Sequence, residues 1–89
     1  MNTVERWSVE LSIGEDDSDT RAEALLIVKE GERLSGHGTA RRNPADPNVT
    51  EIGEQIAVAR ALSDLAHKLL NTAAAGIEST THERAHLHL

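Results

Sequence analysis

Residues 48–71 read NVTEIGEQIAVARALSDLAHKLLN, and their apolar positions recur at the spacing of a helix. Ile52, Ile56, Val58, Ala59, Leu62, Leu65, Ala66, Leu69 and Leu70, joined by Ala73, span about half of a helical wheel, whereas packing on one sheet takes a stripe of only ~100°. Arg60, Asp64, His67 and Lys68 hold the polar side, with Asp64 and Lys68 at the i,i+4 spacing of an ion pair. Asn48 followed by Glu51 is a capping-box variant, and Gly76 is placed for a C-cap. One long helix is therefore expected over about residues 49–73. So wide a stripe calls for a second surface packed against that helix.

Upstream, Arg41-Arg42-Asn43-Pro44-Ala45-Asp46-Pro47 is a stiff connection, because each proline fixes its own φ and disfavours helix in the residue before it. Before it the period changes from helix to strand. Trp7, Val9, Leu11 and Ile13 alternate with Ser8, Glu10 and Ser12, the pattern of a half-buried strand. A polar run from Gly14 to Asp19 reads as a hairpin loop. The next strand carries Ala22, Ala24, Leu26 and Val28 on one face and Leu25 and Ile27 on the other, so both faces should be covered. After a tight turn at Lys29–Glu32, a third strand places Leu34, Gly36, Gly38 and Ala40 on one face. Glycines weaken a strand unless something must approach its backbone, and a helix lying over Gly36 and Gly38 supplies that reason.

The expected architecture is α+β: a three-stranded antiparallel sheet (strands about 6–14, 20–29 and 32–41) followed by one long helix, in the order β-β-β-α. Its 89 residues fit a single domain, with 77–89 as a loosely ordered tail. A chain this short supports only a modest core. Cysteine is absent, which excludes disulfides and thiolate-bound metal and leaves oligomerisation as the supplement. A homodimer is expected, with Trp7, Leu25, Ile27 and His37 as interface candidates. Met1–Arg6 has no apolar core of a signal peptide, and no run is long enough to span a membrane, so a cytoplasmic location is expected.

The block from Ala40 through Asn43-Pro44-Ala45-Asp46-Pro47, Glu51-Ile52-Gly53-Glu54 and Ile56-Ala57-Val58-Ala59-Arg60-Ala61-Leu62-Ser63-Asp64-Leu65-Ala66, together with Trp7, Thr20-Arg21-Ala22, Gly36 and Gly38, resembles an actinobacterial family called domain of unknown function 1876. The resemblance covers nearly the whole chain. It implies a fold like the double-stranded-RNA-binding domain, an association with hypoxia and dormancy, and a dimer likened in shape to ribosome-hibernation factors. It implies no catalytic motif.

The residues themselves argue against direct binding of double-stranded RNA. The formal net charge is −6, the first hairpin loop carries Glu15, Asp16, Asp17 and Asp19, and the helix opens with Glu51 and Glu54. If the protein touches a ribosome, the basic candidates are Arg33, Arg41 and Arg42, with Arg21 and Lys29 nearby. The alternative is an acidic surface that holds a basic protein partner, with no ribosome involved. His82, His86 and His88 lie close together, and His82 and His86 have the spacing of a zinc-binding helix face, but no cysteine or intervening metalloprotease glutamate accompanies them. Asp16, Asp17 and Asp19 lack the spacing and terminal glutamate of a calcium loop. No serine or threonine sits in a nucleophile elbow or phosphate loop. No catalytic residue, metal, cofactor or small-molecule substrate is expected.

Overall fold

The computed structural model describes residues 3–16, 18–41 and 50–89. Three antiparallel strands, β1 (Ser8–Glu15), β2 (Asp19–Ile27) and β3 (Arg33–Arg41), form one sheet in the order β1-β2-β3, and a single helix, α1 (Thr50–Thr81), crosses it. This is the β-β-β-α architecture that the periodicities predict.

The strand ends move by a residue or two. The first hairpin is tighter than expected: β1 continues through Gly14 to Glu15, and β2 begins at Asp19. Asp16 closes the turn from both sides, its N–H donating to the Asp19 carbonyl (2.9 Å) and its Oδ1 accepting from the Asp19 N–H (3.1 Å). β2 stops at Ile27 because Lys29–Gly31 forms a 3-10 turn that ends on Gly31 at φ 84°, a left-handed conformation glycine adopts freely. Trp7 lies just ahead of β1.

The glycine pair on β3 carries the packing. A Cβ on Gly36 would strike the backbone of Ala61 and Leu65, and one on Gly38 the backbone of Ala57 and Ala61. The helix side of that contact is equally small. Its buried residues are Ala57, Ala61 and Leu65, facing Ala22, Ala24, Leu26 and Ala40. Backbone-to-backbone approach gives a thin core in which Leu26 and Leu65 are the only buried side chains larger than alanine among the described residues.

The helix end corrects the expectation of residues 49–73. α1 runs on to Thr81, and Gly76 lies inside it rather than capping it. An interior glycine costs about 1 kcal/mol, which Ala73, Ala74 and Ala75 on its N-terminal side counter with the highest helix propensity. Thr72, Thr80 and Thr81 turn their hydroxyls back onto the carbonyls of Lys68, Gly76 and Ile77 (2.9 Å each), which satisfies these hydroxyls within the helix. Termination comes at His82, with φ 61° and its N–H on the Glu78 carbonyl at 2.8 Å. The expected tail therefore begins as helix. The expected Asn48 cap and the Pro44–Pro47 connection lie outside the described residues.

Candidate interaction surface

Cross-strand partners share a face of the sheet. Val9, Leu11 and Ile13 pair with Leu26, Ala24 and Ala22, which in turn pair with Leu34, Gly36 and Gly38. All three rows point to the side on which α1 lies. The helix, however, sits over β2 and β3 and barely touches β1, because the close approach it makes is possible only over the glycines. The apolar face of β1 is left open: Val9, Leu11 and Ile13 are 43%, 46% and 44% exposed.

The reason α1 stays at the far side of the sheet is a set of polar contacts that the wheel alone assigned to solvent. Arg60, Asp64 and Lys68, one helical turn apart, reach the outer edge of β3. Arg60 Nη1 donates to the Thr39 carbonyl (2.7 Å), Asp64 Oδ2 accepts the His37 N–H (2.8 Å), and Lys68 Nζ donates to the Ser35 carbonyl (2.8 Å). The expected Asp64–Lys68 pair is present at 3.0 Å. The His37 N–H, and then Lys68, hold the Asp64 carboxyl below its ordinary pKa. An edge strand with free N–H and C=O groups invites another strand, and these three side chains occupy that edge.

On the helix, the flank opposite the Arg60–Lys68 row leans toward β1. Val58 and Leu69 pack partly against the core, and Leu62 stays 41% exposed. Ile52, Ile56 and Ile77 are exposed further round the helix. Exposed apolar side chains of this size, where they adjoin, are candidates for an interaction surface.

Three of the four residues expected at an interface share one face of the sheet. Leu25, Ile27 and His37 lie on the face away from the helix, where His37 Nε2 stands 3.8 Å from Glu23 Oε2. Trp7 is exposed ahead of β1 and so is not part of that group. The basic candidates are separated as well. Arg33 and Arg41 occupy opposite ends of β3, about 26 Å apart at ~3.3 Å per residue. Arg41 is drawn to Asp19 (3.4 Å), which Arg21 also approaches at 3.9 Å while standing 4.0 Å from Asp16, so two carboxylates neutralise the two arginines there. Arg42 lies outside the described residues, as does Asp17. Among the described residues no three His, Asp or Glu side chains converge as a metal site requires. His82 falls just past the end of α1, so His82 and His86 do not share a helical turn. No helix of the described residues is long and apolar enough to cross a membrane.

Comparison with known proteins finds relatives along nearly the entire chain. The model of the Rv2632c-like family matches residues 5–86. An uncharacterized protein of Mycobacterium tuberculosis (strain CDC 1551 / Oshkosh) is 48% identical over 86 residues, covering 97% of this chain and 90% of the relative. The uncharacterized protein Rv2632c of Mycobacterium tuberculosis (strain ATCC 25618 / H37Rv) is 44% identical over 75 residues, covering 84% and 80%. The crystal structure of Rv2632c superposes with a TM-score of 0.83 at 40% identity, covering 92% of this chain and 96% of that one.

Proposed function

The chain belongs to the Rv2632c-like family, and from that premise we propose that it is a non-enzymatic interaction protein that works as a homodimer. One observation carries the reading: the apolar face of β1 and the neighbouring flank of α1 stand open while the chain's own core is thin. A second copy is the occupant that removes both features at once. Its surface is the same apolar surface, so the contact is self-complementary by symmetry. The molecule's elongation points the same way. Its radius of gyration is 16.8 Å, against about 12 Å for a compact domain of this length. The test is a pair of lysine substitutions on opposite faces of β1, read as molar mass by light scattering. Leu11→Lys buries a charge in the interface and should lower the mass toward one chain, whereas Glu10→Lys should leave it unchanged. Equal masses for the two variants would remove β1 from the interface.

The dimer's role as a ribosome-occupying factor of stressed or dormant cells is a second reading, supplied by the family resemblance. Arg33 favours it. It is exposed, has no acidic partner among the described residues, and would be displayed twice in a dimer. The neutralised Arg21–Asp19–Arg41 end favours instead a protein partner with no ribosome contact. Co-sedimentation with ribosomes across a salt series separates them. Stoichiometric binding that fades with salt and is lost in Arg33→Glu supports the ribosome. A protein that stays at the top of the gradient at low salt supports the protein partner.

A further inference from the structure

The face of α1 turned away from the sheet has its own period. Ile56, Ser63, Leu70 and Ile77 follow one another at seven-residue steps. Ile52, Ala59, Ala66 and Ala73 do the same, interleaved at alternating steps of four and three. That is a 3.5-residue repeat, the seam of a helix that packs lengthwise on another helix. The sheet cannot be the reason for it, because Ala57, Ala61 and Leu65, which meet the sheet, lie on the opposite side of the wheel. Among the described residues Ile52, Ile56 and Ile77 of the seam are 53%, 40% and 43% exposed, and the last turns of α1 run beyond the sheet.

We infer that this seam is where α1 of one copy lies antiparallel on α1 of the other; the arrangement rests on the homodimer reading and moves the contact from β1 to the outer face of α1. The sizes along the seam choose the direction. Its large residues stand toward the ends and its small ones, Ala59, Ser63 and Ala66, in the middle. Antiparallel alignment about the midpoint sets Ile56 against the partner's Ala73 and Leu70 against the partner's Ala59, so in these two layers large faces small. Ser63 meets the partner's Ala66 at the centre, where the helices come closest. The ends close with Ile52 against the partner's Ile77. Parallel alignment would set Ile on Ile and Ala on Ala, leaving gaps at the middle. The helix length outside the sheet also acquires a purpose: the overhang of each copy covers the N-terminal half of the other's seam.

The seam is about 38 Å long at ~1.5 Å per residue. Leu62, 41% exposed, lies at its margin on the wheel, and a specific interface needs on the order of 1,000 Å² of total buried surface, so the seam has to be buried along its whole length. Two neutral seams also bring no charge into contact, in a chain whose net charge of −6 opposes association everywhere else.

The absence of native cysteine makes the test direct. In an Ile52→Cys, Ile77→Cys double variant, mild oxidation should yield a dimer whose disulfides join position 52 of one chain to position 77 of the other, identified by mass spectrometry of the linked peptides. The two positions of one chain are about 38 Å apart along the helix and cannot join to each other. Ala59→Glu, at an exposed and helix-compatible position, should give a monomer with unchanged helix content. Disulfides joining 52 to 52 and 77 to 77, or a dimer that survives Ala59→Glu, would overturn the seam and leave the homodimer standing on β1. An unmodified chain that is monomeric would overturn both.

Discussion

The Asp64 carboxylate accepts the backbone N–H of His37 at 2.8 Å, fastening the middle of α1 to the outer edge of β3. The same carboxylate holds Lys68 at 3.0 Å, and Lys68 in turn reaches the Ser35 carbonyl. Asp64 thus shares in closing the β3 edge and, together with the close approach over Gly36 and Gly38, in holding the helix over β2 and β3.

Asp64 gives the fold an acid dependence. Its pKa is lowered by the His37 N–H and then by Lys68, so the ionised form is favoured in the folded state. A depressed carboxyl contributes stability that is present above its unfolded pKa of about 3.9 and is lost as pH falls through the lower folded value. Stability should therefore be flat in this group's contribution from neutrality to about pH 4 and decline below it. In Asp64→Asn the acid limb of the unfolding curve should be shallower, with lower stability at neutral pH. An unchanged acid limb would remove Asp64 from the account.

Gly36 and Gly38 are the positions where a single methyl should do most damage. A Cβ on Gly36 would stand 2.8 Å from Leu65 Cα, and one on Gly38 2.8 Å from Arg60 Cβ, with helix backbone closer still. Backbone cannot step aside as a side chain can. Gly36→Ala should cost about 3 kcal/mol, the upper end of ordinary overpacking, read as the midpoint of urea unfolding.

Gly76 should respond in the opposite sense. As a cap at positive φ it would resist substitution, but it lies within α1 with open space around its Cα. Gly76→Ala should stabilise the end of the helix by about 1 kcal/mol, raising amide protection from Ile77 to Thr81 roughly fivefold. Lower protection would restore the cap.

The sequence shows the elements more plainly than their contacts. Period-two alternation in Val9–Ile13 and Ala22–Val28, and helical spacing from Ile52 to Leu70, are local properties, and they place every element. Gly36 and Gly38 even announce the helix above them. The contacting face of that helix is harder to see. Ala57 and Ala61 carry little hydrophobic signal, so the wide stripe of larger residues draws the eye to the side that faces away from the sheet. Arg60, Asp64 and Lys68 read as a solvated row because polarity alone cannot show that three side chains one turn apart meet a strand edge. The basic cluster fails for a geometric reason: Arg33 and Arg41 are neighbours in composition but stand at opposite ends of one strand. The helix end is misread at Gly76 because a glycine after three alanines looks like a stop, whereas the helix propensity of Ala73, Ala74 and Ala75 offsets the glycine and α1 runs through it.

Everything proposed here turns on whether the open face of β1 and α1 is covered by a second copy. Sedimentation equilibrium of the unmodified chain over a range of micromolar concentrations measures this directly. A homodimer gives a mass of twice the 9.6 kDa chain, falling toward one chain on dilution. A mass that stays at 9.6 kDa at every concentration would contradict it.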